Sequence, residues 1–257
     1  MSNIQTVMLG KVEVGNGAPK VIVPIVGKTR EDIVVKGREL TKYTMDVVEW
    51  RVDFYDDVFD IPQVVETGRQ LKLALGETPI LFTFRTKKEG GEKEIPMDAY
   101  IALNKAMAES SYVDAIDVEI FSGDNIVLEN IKNIHAAGKA VVGSNHDFAK
   151  TPDKADLLYR LRKMQDMGAD IPKIAVMPKS KADVITLLDA TQEMTEKYAT
   201  RPIITMSMSK LGVISRLVGE SFGSSMTFGA VGQVSAPGQI PVEKLQTAMG
   251  IIHEAQK

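Results

Sequence analysis

The sequence predicts an α/β fold: a single closed (β/α)8 barrel of the TIM type, one domain over residues 1–257, with an N-terminal β-hairpin (1–17) closing the barrel floor. Three observations carry this expectation. Eight short, β-rich apolar runs recur along the chain, several without strict polar alternation, as buried parallel strands require. Amphipathic segments with helix-start signals lie between them. No linker, low-complexity tract or composition shift divides the chain, and about 250 residues is the size of one such barrel.

Taken in order, the hairpin reads T-V-M-L-G-K-V-E-V and turns around Gly10. The first barrel run is V-I-V-P-I-V (21–26). V-G-K-T-R follows it without a glycine-rich fingerprint, which weakens the competing architecture, a doubly wound open sheet. Thr29, with Asp32 three residues on, is expected to cap the next helix. The runs D-V-V-E-W (46–50), I-L-F-T-F (80–84), A-I-D-V-E-I (115–120) and A-V-V-G-S (140–144) come next. Thr151-Pro152 reads as a cap plus first-turn proline for a helix with Leu157, Leu158, Leu161 and Met164 on one stripe. The run K-I-A-V-M (173–177) precedes a helix opened by Ser180 and Asp183, with Val184, Leu187, Leu188 and Tyr198 facing inward. Glu193 and Lys197, four apart, lie on its solvated side. I-I-T-M-S (203–207) and M-T-F-G-A (226–230) complete the eight.

Composition narrows the function classes. The chain is 44% hydrophobic, 25% charged and free of cysteine. That length buries a core without disulfide or metal staples, and the missing cysteine excludes a zinc ribbon, an iron–sulfur cluster and a thiol nucleophile. Lys+Arg at 31 against Asp+Glu at 34 gives a net charge of −3, which argues against a nucleic-acid partner. The first residues lack a signal-peptide pattern, and no apolar run approaches the roughly 18–20 residues of a membrane span. A cytoplasmic protein without a membrane partner is therefore expected.

Barrel chemistry gathers at the C-terminal ends of the strands. Those ends carry Glu49-Trp50-Arg51-Val52-Asp53, Arg85, Asp117 and Glu119, Ser144-Asn145-His146-Asp147-Phe148, and Met206-Ser207-Met208. Charges inside or just after apolar runs are costly unless a site pairs or solvates them, and several at one end mark a pocket. Glu49 and Arg51 share one strand face by period two. Arg51 and Arg85 suit a carboxylate-bearing substrate, because guanidinium meets carboxylate in bidentate fashion. His146 reads either as a general base or as a loop histidine bonded to Asp147. His135 and His253 lie on amphipathic helices as surface residues. No second ligand accompanies His146, so no metal site is expected. Lys173 opens its run, which places it at the N-terminal edge as a lysine reaching solvent. Pointed inward instead, it would be a buried amine of depressed pKa, fit to attack a carbonyl. Spacing leaves both readings open. S-A-P-G-Q-I-P (235–241) has the composition of an ordered turn or a lid, and Gly229 and Gly232 make a poor phosphate cradle.

E-W-R-x-D, F-R-T-K-K-E-G-G, S-N-H-D-F, P-K-I-A-V-M-P, P-I-I-T-M-S-M, G-V-I-S-R and S-A-P-G-Q occur in that order across nearly the whole chain. The ordered set resembles type I 3-dehydroquinate dehydratase. The resemblance implies a (β/α)8 barrel of the shikimate pathway, in chorismate and aromatic amino acid biosynthesis. Such an enzyme removes water from 3-dehydroquinate to give 3-dehydroshikimate, with no metal or organic cofactor, as a homodimer. Residue by residue, it implies that Lys173 forms a Schiff base with the C3 ketone, that His146 is the general acid/base and that Glu89 orients it. Glu49, Arg51, Arg85 and Arg216 become substrate-binding positions, with Arg216 the main carboxylate clamp. Met206 and Phe228 become pocket walls; Ser235 and Gln239 belong to a lid (232–239) expected to order over ligand. Pro24 departs from the serine often found on the family's first strand. A class I aldolase is the competing imine enzyme; it would generally want a phosphate site, for which the sequence offers no convincing loop. A non-catalytic binding module would explain neither the strand-end charges nor the ordered motifs.

Overall fold

The computed structural model describes residues 4–232 and 235–257. β1 (Val7–Leu9) and β2 (Val12–Val14) form the expected antiparallel hairpin, turning through Gly10 at φ +53°. Positions 1–3 of the predicted hairpin lie outside the described residues.

Eight parallel strands follow: β3 (Lys20–Ile25), β4 (Val47–Arg51), β5 (Ile80–Thr83), β6 (Ala115–Glu119), β7 (Ala140–Asp147), β8 (Ile171–Val176), β9 (Ile204–Ser207) and β10 (Met226–Ala230). They pair in the order β10-β3-β4-β5-β6-β7-β8-β9. A parallel bridge between Ile203 and Ser224, with the Ser225 N–H donating to the Ile203 carbonyl (2.8 Å), joins β9 back to β10. A two-residue strand, β11 (Ile240–Pro241), pairs with the end of β10. The barrel expected from the eight apolar runs is thus the observed architecture.

The outer layer contains α1 (Arg30–Leu40), α2 (Ile61–Leu75), α3 (Met97–Glu109), α4 (Asp124–Ala136), α5 (Lys154–Asp166), α6 (Lys181–Lys197) and α9 (Val242–Ala255), with the short α7 (Val213–Leu217) and α8 (Gly219–Phe222) after β9. Two of three predicted caps form as expected. Thr29 accepts from the Asp32 N–H at 3.2 Å, and Ser180 with Asp183 makes a reciprocal capping box. The third moves. Asp153, not Thr151, accepts the Asp156 N–H at the start of α5, because its carboxylate is the better acceptor and lies where the helical turn begins. Thr151 Oγ1 is buried there without a partner among the described residues. The stripe of α5 is as read: Leu157, Leu161 and Met164 are fully buried and Leu158 packs beside them. No described helix is long and apolar enough to cross a membrane.

Two apolar cores result from the period-two alternation of the strands. Outward residues such as Val23, Trp50, Phe82 and Ile174 pack against the helices. Inward residues at the barrel floor, one from each strand, are Ile22, Val47, Leu81, Ala115, Val142, Ile171, Ile204 and Met226. Val7, Leu9 and Val14 of the hairpin pack in the same cluster, so the hairpin plugs the floor.

Candidate active site

Two residues further along most strands, the same inward face changes chemistry. The positions above the floor are Glu49, Thr83, Asp117, Ser144, Lys173, Met206 and Phe228, and all are buried. Two further still come Arg51, Glu119, His146, Ala175 and Met208, joined by Arg85 just past β5. An apolar floor therefore supports a charged upper lumen, which opens as a cavity. All eleven site residues that the resemblance implies line it: Glu49, Arg51, Arg85, Glu89, His146, Lys173, Met206, Arg216, Phe228, Ser235 and Gln239.

Lys173 corrects its placement from the sequence. β8 begins at Ile171, two residues earlier than the apolar run suggested, so Lys173 lies inside the strand and is 3% exposed rather than solvated. Its Nζ lies 3.5 Å from Asp117 Oδ2, 3.8 Å from Glu49 Oε1 and 4.7 Å from the centre of the Phe228 ring. Burial pulls its pKa below the ordinary lysine value, with Arg85 and Arg51 adding to the effect and Asp117 and Glu49 opposing it. The result favours a neutral, nucleophilic amine held by acceptors that can also stabilise a cation formed at the same nitrogen.

His146 also differs from expectation. β7 runs to Asp147, so the histidine sits on the strand and not in the loop beyond it. Its Nδ1 meets Glu89 Oε2 at 3.0 Å, and its backbone N–H donates to the same oxygen at 2.9 Å. Asp147, the alternative partner, instead accepts the N–H groups of Ala149 and Lys150. Burial, reinforced by Arg85, Lys173 and Arg51, holds the imidazole well below its ordinary pKa. A neutral ring donating Nδ1–H to Glu89 leaves the Nε2 lone pair for the cavity. Glu89 is pushed up to about 8, first by burial and then by Glu119, against the pull of Arg85 at 3.7 Å.

Glu89 reaches this place on a one-turn helix, Lys87–Glu89, followed by Gly90 at φ +87°. A side chain on the next residue, Gly91, would collide with the Arg85 carbonyl, so the tight return that carries Glu89 over the lumen needs glycine there. The Phe148 ring covers Gly90 and joins the cavity wall.

The arginines divide by partner. Arg51 is bidentate to Asp53, Nε and Nη2 each at 2.8 Å. Arg85 contacts Asp117 at 2.8 Å and Glu119 at 3.0 Å, and donates to Ser144 Oγ at 2.9 Å. Arg216 is different. It is 1% exposed and has no carboxylate partner among the described residues; its Nη2 donates to the Pro237 carbonyl (3.1 Å), and Nη1 lies 3.6 Å from Met206 Sδ. Burial without a counter-charge lowers its pKa to about 10. It sits on α7, pinned to β9 by Ser215 Oγ, which accepts the Ser207 N–H at 2.9 Å.

Of the predicted lid, Ser235 and Gln239 bond each other through the Ser235 N–H (2.9 Å) and Gln239 Nε2 (3.0 Å). Positions 233 and 234 of that segment lie outside the described residues. Pro24 is buried beside Glu49 in register and offers no hydroxyl to the cavity. Among the described residues, no group of three or more His, Asp or Glu side chains is placed to hold a metal ion.

Other residues complete the site, some of them named from the sequence only as members of the strand-end inventory. Asp117 and Ser144 lie at the base of the charged layer, with Ser144 Oγ donating to Asp117 at 2.6 Å. Gly90, Phe148, Ala175, Met208 and Ala236 line the cavity. Asp117, Ser144, Phe148 and Met208 stand in that inventory without an assigned role, and Ala175 was legible as the residue two past Lys173 on the same strand face.

Comparison with known proteins agrees with this geometry. A family model described as Type I 3-dehydroquinase matches residues 21–256. A 3-dehydroquinate dehydratase from Salmonella agona (strain SL483) is 52% identical over 252 residues, covering 98% of this chain and all of the relative. The solved type I 3-dehydroquinate dehydratase from Clostridium difficile superposes with a TM-score of 0.95 at 48% identity, covering 98% of this chain and 99% of that one. The 3-dehydroquinate dehydratase from Geobacillus kaustophilus HTA426 does so at 0.96 with 34% identity over both full chains. The chain belongs to the type I 3-dehydroquinase family.

Proposed function

We propose that this 3-dehydroquinate dehydratase acts through a Schiff base on Lys173, in one catalytic domain spanning the chain. The observation that carries the reading is the pairing of two buried basic groups in one cavity: an amine of depressed pKa, and a guanidinium with no carboxylate partner among the described residues. A substrate bearing both a ketone and a carboxylate suits the two together. The Clostridium difficile structure contains covalently modified comenic acid, and an acid made covalent in a relative supports a nucleophile in this cavity.

Arg216 pairs with the substrate carboxylate, which replaces the missing counter-ion. The neutral Lys173 amine adds to the C3 ketone; the carbinolamine takes up one proton and loses its hydroxyl as water, leaving a protonated imine whose charge Asp117 and Glu49 stabilise. The imine draws electron density from C2, so the C2–H becomes acidic enough for an imidazole to remove. His146 Nε2 takes that proton, oriented through Nδ1 by Glu89. The electron pair returns from the enamine to expel the C1 hydroxyl, which accepts the proton from His146 and departs as water. Hydrolysis of the product imine consumes one water, frees the neutral Lys173 amine and releases the proton taken up when the imine formed. The balance is 3-dehydroquinate giving 3-dehydroshikimate and water, with no oxidant or reductant.

The reading includes a place in the shikimate pathway and a homodimer in the cytoplasm. Incubation of the pure protein with 3-dehydroquinate tests the reaction: absorbance of 3-dehydroshikimate is expected to develop. Carbon–carbon cleavage products without that absorbance would point to an aldolase instead. Sedimentation tests the dimer.

A further inference from the structure

We propose that Arg160, on the outer helix α5, is a positioning residue for the His146–Glu89 pair and acts through the side-chain amide of Asn145. The inference rests on the reading of that pair given above, and none of the steps there uses either residue.

Asn145 precedes His146 on β7 and points away from the lumen, yet it is 8% exposed. Its Nδ2 donates to Glu89 Oε1 at 2.9 Å, the oxygen that His146 does not use. Its Oδ1 accepts from Arg160 Nη1 at 3.0 Å. An amide can present either end to a neighbour, and its orientation follows from the partners. A guanidinium has donors only, so the amide atom facing Arg160 must be the oxygen. The NH2 is then forced toward Glu89. Without Arg160 the amide is free to turn over, and Oδ1 against a carboxylate oxygen would set two acceptors face to face.

Arg160 is itself held. Asp156, one helical turn earlier, accepts from Nε (3.1 Å) and Nη2 (2.8 Å), and Asp147 Oδ2 lies 3.4 Å from Nη1. The chain of contacts runs from the helical layer through the barrel wall to the carboxylate that orients the imidazole. Glu89 is faced by Arg85, by Asp117 and Glu119 of β6, and by His146 of β7; His146 is faced in turn by Arg85, Arg51 and Lys173. Asn145 is the neutral donor in this ring of charges, and it stabilises the ionised form of Glu89. That form receives Nδ1–H of His146 and so leaves Nε2 unprotonated.

The test uses Arg160→Met, Asn145→Leu and the double variant, each checked by thermal melting. Arg160 lies half-buried on the outer helix α5, outside both apolar cores, so Arg160→Met, which keeps a long unbranched side chain, is expected to fold. Each single substitution is expected to lower kcat about tenfold, the size of one hydrogen bond to a charged acceptor, with little change in KM. The acid limb of the kcat profile is expected to move to higher pH, because the carboxylate has lost a donor that favours its ionised form. In Arg160→Met, the 15N resonances of His146 are expected to show loss of the Nδ1–H form. The double variant is expected to be no worse than Asn145→Leu alone. Wild-type kcat, pH profile and 15N shifts in Arg160→Met would overturn the proposal. So would losses that multiply in the double variant, since Arg160 would then act by charge or through the fold. If His146→Ala and Glu89→Gln turned over normally, the reading of the pair would fall and this proposal with it; if those two were impaired and Arg160→Met were not, this proposal alone would fall.

Discussion

Replacing Arg216 with methionine separates binding from stability in opposite directions. The guanidinium is 1% exposed and lacks a carboxylate partner among the described residues, and burial holds its pKa at about 10. That depression corresponds to roughly 3 kcal/mol of burial cost carried by the folded protein at every pH below about 10. Methionine fills similar space without that cost, so Arg216→Met is expected to raise Tm. On the proposed reading, however, the substrate carboxylate loses its partner. Truncating one side of a buried, hydrogen-bonded charge pair costs about 3–5 kcal/mol, which is about 150- to 5,000-fold in kcat/KM. The carboxylate does not react, so most of the loss belongs in KM. Steady-state kinetics and a thermal melt on the same preparation read both effects, and a carboxylated product analogue should stabilise the wild type but not the variant. A loss in kcat/KM of less than tenfold, or a clear fall in Tm, would refute the assignment of Arg216 as the carboxylate clamp.

Glu89 supplies a pH prediction. Its pKa rises from 4.5 to about 8 on folding, so between those values the native state binds more protons than the unfolded chain and stability falls as pH rises. Glu89→Gln is therefore expected to gain more Tm at pH 8.5 than at pH 5, while losing activity and the acid limb of kcat/KM; equal gains at both pH values would contradict the shift. At the start of α5, Asp153→Ala is expected to cost about 1 kcal/mol in chemical denaturation and Thr151→Ala close to none. The reverse order would restore Thr151 as the cap.

Much of the fold was legible because each strand repeats one pattern. An apolar inward residue at the floor is followed two residues later by the residue that carries chemistry, as in Val47-Glu49 or Val142-Ser144. Lys173 escaped that pattern through Pro172. Proline cannot donate to a ladder and argues against an interior strand position, so the run seemed to begin at the lysine. In the folded chain Pro172 faces outward in β8, and Ile171 is the floor residue that sets Lys173 in phase with Ser144 on its neighbour. Glu89 was not legible from local pattern at all. It comes from a turn whose partner is 57 residues away, and only the resemblance identified it. The α5 cap was misread for a local reason, since two acceptors two residues apart competed and the carboxylate won. Asn145 was legible as part of S-N-H-D-F but its link to Arg160 was not, because that relation exists only across the barrel wall.

The central claim is a covalent imine at Lys173. The direct measurement is peptide mass analysis after incubation with 3-dehydroquinate and borohydride, run on the wild type and on Lys173→Ala. A reduced substrate-derived adduct on the Lys173 peptide is expected in the wild type, with turnover abolished and no adduct in the variant. Near-normal turnover by Lys173→Ala, or an adduct carried by another residue, would contradict it.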